Sequence, residues 1–276
     1  MDMFDWFVLA RGAPCVGVCA LALAAAPANA VSVAQGSTVA FASDDSAYDA
    51  LMVQSIEAAG HTAVAITEFA TFDFSQVDML WFEDDSNTAF SPTFAGRQDD
   101  IEAYVRAGGR LMIHDRSTTA AVSENYFLGA PTIEAINFTP LTPGEEINRP
   151  IADAGSNPVT DGPFGTITDT TLDNALRSVH GAVTRESLLT VNATAILTTD
   201  DPNEVVAFSY ALDDGFLYYA NMPVLFNATN TAGLPQREAF RDIYLPNAID
   251  YVVNIPTPSS LVLLALLAGA SRRRRS

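Results

Sequence analysis

The stretch Ile101-Glu102-Ala103-Tyr104-Val105-Arg106-Ala107-Gly108-Gly109-Arg110-Leu111-Met112-Ile113-His114 decides the fold class. Ile101, Tyr104 and Val105 recur at helical spacing, which predicts a helix over 99–107. The pair Gly108-Gly109 closes it, because glycine takes the backbone conformations that end helices. The run from Arg110 to Ile113 is too short for a helix and reads as a strand that runs into His114-Asp115-Arg116. Helix, tight turn and buried strand in that order are one arm of a βαβ unit.

The same alternation extends towards the N-terminus. Ser37 to Ala42 reads as an apolar strand ending in Ser43-Asp44-Asp45. Tyr48 to Ala59 carries a helical stripe of Leu51, Met52, Ile56 and Ala59, closed by Gly60. Thr62 to Ile66 is a second strand, and Val77 to Phe82 a third that runs into Glu83-Asp84-Asp85. Strands alternating with helices imply a mostly parallel sheet covered on both faces. Residues 117–190 are rich in Thr, Pro and Gly, with weak periodicity. Ala193 to Thr198 reads as a further strand, and Glu204 to Tyr210 with Gly215 to Asn221 as a hairpin around Asp213-Asp214-Gly215. Arg237 to Val253 reads as a terminal helix that Pro246 would kink.

This pattern resembles the class I glutamine amidotransferase-like fold, and within it the trehalose-utilisation (ThuA-like) branch. Two stretches carry the resemblance. One is the Ile101 to His114 segment, and the other is Asn157-Pro158-Val159-Thr160-Asp161-Gly162, where Asn157 stands in a histidine's place. The resemblance implies a flavodoxin-like, doubly wound α/β sheet with helices on both faces and a C-terminal β-hairpin. It also implies departures. Catalytic relatives carry a cysteine in the turn after the strand that here ends at Ile113, where this chain has His114-Asp115. They carry a His-Pro-Glu-like segment where this chain has Asn221-Met222-Pro223.

The ends divide the chain into 1–30, 31–254 and 255–276. Arg11, the apolar run from Cys15 to Ala26 and Ala28-Asn29-Ala30 read as a signal peptide cleaved between Ala30 and Val31. Pro256-Thr257-Pro258, the apolar run Leu261 to Ala270 and the cluster Arg272, Arg273, Arg274, Arg275 resemble a PEP-CTERM sorting signal. That resemblance implies an exosortase-type sorting enzyme as partner, and exopolysaccharide as a second partner. It implies export to the envelope, outer surface or extracellular matrix of a Gram-negative bacterium. The apolar run is shorter than the roughly 20 residues of a spanning helix, so it would hold the membrane only before processing.

Both cysteines, Cys15 and Cys19, lie inside the signal, which leaves no thiol for a disulfide, a thiolate metal site or a nucleophile. Removing Arg11 and Arg272 to Arg275 from the 14 basic residues leaves nine. Removing Asp2 and Asp5 from the 33 acidic residues leaves 31, a formal charge of −22. Such a surface repels nucleic acid and anionic lipid.

No G-x-S-x-G elbow and no H-E-x-x-H pair is present. Ser117 beside His114 and Asp115 does not define a triad, and His61 and His180 read as a solvated turn residue and a packed loop residue. The acidic strand ends remain. Ligands of an open α/β sheet bind at the carboxyl ends of its strands, so Asp44, Asp45, Glu83, Asp84, Asp85, His114 and Asp115 are expected on one rim. Asp44, Glu83, Asp84 and Asp115 are the oxygen set that would suit calcium; otherwise no cofactor is expected. The leading expectation is an exported, non-catalytic domain. The alternatives are a sugar-active or other hydrolase using an acidic strand-end cleft, and a calcium-stabilised adhesion module.

Overall fold

The computed structural model describes residues 36–43, 45–84, 86, 89–116, 120–136, 157–173, 179, 181–229 and 234–256. The signal and sorting segments, Asp44, Asp85, Ser117 and His180 lie outside them, apart from Ile255 and Pro256. Among the described residues the strands are β1 (Thr38–Ser43), β2 (Thr62–Ala65), β3 (Met79–Asp84), β4 (Arg110–Asp115), β5 (Ala135–Ile136), β6 (Asp161–Gly162), β7 (Gly165–Thr166), β8 (Ala182–Thr184), β9 (Thr194–Thr198), β10 (Glu204–Leu212) and β11 (Gly215–Ala220). The helices are α1 (Asp49–Ala58), α2 (Pro92–Ala95), α3 (Gln98–Arg106), α4 (Ala120–Ser123), α5 (Arg185–Leu189), α6 (Val224–Thr229), α7 (Leu234–Ala239) and α8 (Leu245–Asn254).

Nine strands form one mixed sheet in the order β2-β1-β3-β4-β11-β10-β8-β5, with β9 also paired to β10. The run β2-β1-β3-β4-β11 is parallel, the flavodoxin-like arrangement. The hairpin β10–β11 turns the sheet antiparallel beyond it. Because side chains alternate along a strand, each central strand feeds two cores. Trp81, Met112 and Tyr218 meet Met52 and Ile56 of α1 and Ile249 and Val252 of α8 on one face. Leu80, Phe82, Ile113 and Tyr219 meet Ile101 and Val105 of α3 on the other. Full burial of such side chains stabilises by roughly 1.5–3 kcal/mol each.

Two expectations need correction. The third and fourth strands do not stop before their polar residues: β3 begins at Met79 and includes Glu83 and Asp84, and β4 includes His114 and Asp115. The reason is pairing. Glu83 lies opposite Ser43 and His114, and Asp84 lies opposite Asp115, so the ladder continues through the charged positions. His61 is buried at 5 % exposure and is not a solvated turn residue, since the turn closed by Gly60 (φ 86°) folds it inward before β2. Pro246 lies in the first turn of α8, and the terminal helix runs on through it. A π turn at Phe240–Tyr244, closed by Leu245 N–H donating to the Phe240 carbonyl, precedes it and joins α7 to α8. The wider turn accommodates a residue whose ring crowds the preceding turn.

Candidate functional site

The carboxyl ends of β3, β4 and β11 hold the polar groups expected there, and the pleat divides them. Glu83 and His114 follow Trp81 and Met112 by two residues and share their face, while Asp84 and Asp115 follow Phe82 and Ile113 on the opposite face. All four are fully buried.

On the first face a chain of hydrogen bonds runs through the histidine. Trp81 Nε1 donates to His114 Nδ1 at 3.1 Å. An indole N–H can only donate, so Nδ1 carries the lone pair and the proton sits on Nε2. That proton points at Tyr244 Oη, 3.1 Å away, which is 2.9 Å from Tyr218 Oη. Burial pushes the His114 pKa down to about 3, so the ring is neutral at every physiological pH. Burial first, then Tyr218 and Glu83, holds the Tyr244 phenol far above its usual range. Glu83 Oε1 accepts from the Val224 amide at 3.1 Å and so caps the start of α6.

On the second face each aspartate meets a phenol. Tyr126 donates to Asp84 Oδ2 and accepts from the Ser91 amide at 3.2 Å. Asp84 Oδ1 accepts from the Ser86 amide at 2.8 Å. Tyr219 donates to Asp115 Oδ2 at 2.6 Å and accepts from Asn221 Nδ2 at 3.0 Å. Burial and the neighbouring carboxylates keep both phenols protonated, so they are permanent donors.

Among the described residues, the groups expected on one rim thus fall into two polar clusters. Asp45 belongs to neither. It is exposed, and its Oδ1 accepts from the Ala47 amide at 2.9 Å, capping the turn Ser46–Tyr48. Glu83 faces away from Asp84 and Asp115, and Asp44, the fourth proposed calcium ligand, lies outside the described residues. Among the described residues no group of three or more His, Cys, Asp or Glu side chains is arranged to hold a metal ion. Composition did not reveal the tyrosines that engage these acids. One signal was available: in the strand Gly215–Ala220, Tyr218 and Tyr219 are consecutive, so one hydroxyl must enter each face. Tyr126 lies in an irregular segment and gave none.

The turn acids behave as ordinary turn residues. Asp201 Oδ1 accepts from the Asn203 amide at 2.8 Å, and Asp213, at φ 52°, pairs with Arg106 at 2.7 Å. The Asn157 to Gly162 turn is clamped by Asn247 of α8, which accepts from the Phe164 amide and donates to the Val159 and Gly165 carbonyls. A Cβ on Gly162 would lie 2.3 Å from Asn247 Oδ1, so only glycine fits. At the other end of the sheet, a cavity of about 560 Å³ opens between the segment before β3 and the end of α3.

No protein-family model matches the sequence, and no curated protein does. Solved structures do. A cytoplasmic protein from Salmonella typhimurium LT2 superposes with a TM-score of 0.51 at 11% identity, covering 78% of this chain and 99% of its own. What is shared is the α/β fold. A second cytoplasmic protein from Salmonella typhimurium gives 0.48 at 12% identity, covering 78% and 98%. A ThuA-like protein from Parabacteroides merdae ATCC 43184 gives 0.43 at 11% identity, covering 81% and 91%. Fold alone carries no chemistry, so the site has to be judged on its own residues. No helix among the described residues is long and apolar enough to cross a membrane.

Proposed function

We propose that this chain is an exported, surface- or matrix-sorted bacterial protein whose amidotransferase-like domain binds a partner and performs no catalysis, with exopolysaccharide as that partner. One observation carries the non-catalytic part: the titratable groups at the strand ends are consumed inside the fold. His114 spends both ring nitrogens on Trp81 and Tyr244, and Asp84 and Asp115 accept from Tyr126 and Tyr219. A general base must reach the proton it takes and must hold a pKa near the working pH. A neutral, fully buried histidine meets neither condition. The glutaminase route also lacks its nucleophile, since no cysteine follows Cys19. Export and sorting rest on the Ala28-Asn29-Ala30 site and on the Pro256 to Arg275 tail.

The test uses the full chain expressed in a Gram-negative host that carries an exosortase. Intact mass of the exported protein should place the N-terminus at Val31 and lack Arg272 to Arg275. The same protein should release no ammonia from glutamine. A retained arginine tail would end the sorting reading, and turnover that survives repurification would end the non-catalytic one.

A further inference from the structure

The motif that fixes the fold also builds one wall of the cavity at the amino ends of β3 and β4. Its ring and backbone are held together: Tyr104 lies so close over Gly109 that a Cβ there would come within 2.4 Å of the ring. The Tyr104 hydroxyl accepts from the Arg110 amide at 3.2 Å. Phe72, Asp73, Phe74, Asp78 and Arg97 also line it, with the Phe74 ring packed on Tyr104 at 5.9 Å between centroids.

The lining chemistry narrows the ligand. Arg97 sits 4.7 Å over the Phe74 ring, pairs with Asp100 at 2.6 Å and donates to the Phe69 and Phe72 carbonyls. A cationic ligand would find that ring face already taken by a guanidinium, with Arg110 beside it. An anionic ligand would meet Asp73, Asp78 and Asp100 on a chain of net charge −19. An apolar ligand would strip water from charged side chains without pairing them. What remains is a neutral ligand whose groups both donate and accept, to match interleaved carboxylates and guanidinium groups, and which has an apolar face to lie against Phe72 and Tyr104. Hydroxyls supply the first property, and the C–H face of a pyranose ring supplies the second.

We propose that this amino-end cavity is a binding site for a neutral saccharide, with Phe72 as the stacking surface and Asp78 as a hydroxyl acceptor. Asp78 Oδ2 holds the Thr38 amide at 2.8 Å, and its second oxygen serves the ligand. The volume lies within the range of small-molecule sites, roughly 300–1,000 Å³. The proposal rests on the binding reading above and gives its saccharide a place. It does not depend on export, because the measurement uses purified protein.

The experiment is saturation-transfer NMR and calorimetry on the full chain with cellobiose, maltose and lactose, and with glucuronate and choline as charged controls. At least one neutral disaccharide should bind saturably. Phe72→Ala and Asp78→Asn should each weaken that binding about tenfold or more, a loss near 1.4 kcal/mol. The carboxamide introduced by Asp78→Asn keeps an acceptor oxygen for the Thr38 amide, so the melting temperature of that variant should match the parent. The proposal is overturned if none of the three disaccharides saturates, if both variants bind as the parent does, or if glucuronate or choline competes for the same cavity. Failure of the sorting test leaves this outcome untouched, and the reverse holds too.

Discussion

At the scale of single residues, the buried acids differ in how they are satisfied, and the differences are measurable. Asp84 and Asp115 each hold a phenol donor that stays protonated. Tyr126→Phe or Tyr219→Phe removes that donor from a buried carboxylate and should cost about 1–3 kcal/mol in denaturant unfolding. A loss below a few tenths would mean that the carboxylates draw their support from elsewhere. Asp250 is the contrasting case. Only 1 % exposed, it accepts from Asn254 Nδ2 through Oδ1, and its Oδ2 is buried with no hydrogen-bond partner among the described residues. Burial raises its pKa above the usual carboxylate value. The folded protein therefore holds this proton more tightly than the unfolded chain. Stability from this group is full below the unfolded value of about 3.9 and is lost as pH rises through the raised folded value. Asp250→Asn does not titrate, so its melting temperature should gain on the parent as pH rises from about 4 through the raised folded value. A constant difference between the two proteins across that range would show that Asp250 ionises freely.

At the scale of elements, the hairpin closes against the end of α3 with no room to spare. A Cβ on Gly215 would fall 1.7 Å from the Val105 carbonyl oxygen and 2.6 Å from that of Gly109. These are backbone atoms that cannot swing aside, so Gly215→Ala should cost about 3 kcal/mol or more. Gly96→Ala, in a helical turn with 3.4 Å of clearance, should be neutral or gain about 0.4–1 kcal/mol. Equal effects of the two changes would refute the close approach. Most of these elements were legible in the sequence. Helices α1 and α3, the parallel strands and the hairpin follow from apolar spacing closed by glycine. The strand ends were not legible. Charged residues usually mark where a strand gives way to a loop, but β3 and β4 each have a neighbour on both sides, and pairing carries them through Glu83-Asp84 and His114-Asp115. That extension sets the alternation that sends two groups to each face. The short strands β5 to β8 escaped notice because two or three residues carry no period.

At the scale of the whole molecule, the order β2-β1-β3-β4-β11 positions a carboxyl rim where this architecture usually binds ligands. The sequence pointed to that rim and to most of the residues on it. It did not show that those residues face inward, because whether a polar side chain at a strand end meets solvent or a tyrosine depends on partners distant in the chain: Tyr244 lies 130 residues from His114, and Tyr219 104 from Asp115. The open cavity lies at the opposite end of the sheet, built by the helix–glycine–strand motif itself. The chain has three histidines, so its imidazole spectrum is simple enough to report on the rim directly. Long-range proton–nitrogen correlation of the full chain across a pH series should give His114 as a fixed Nε2–H tautomer whose shifts do not move, since burial holds its pKa at about 3. A His114 ring that titrates near the ordinary value of about 6.5 would mean a rim open to water and available to chemistry, contradicting the non-catalytic reading.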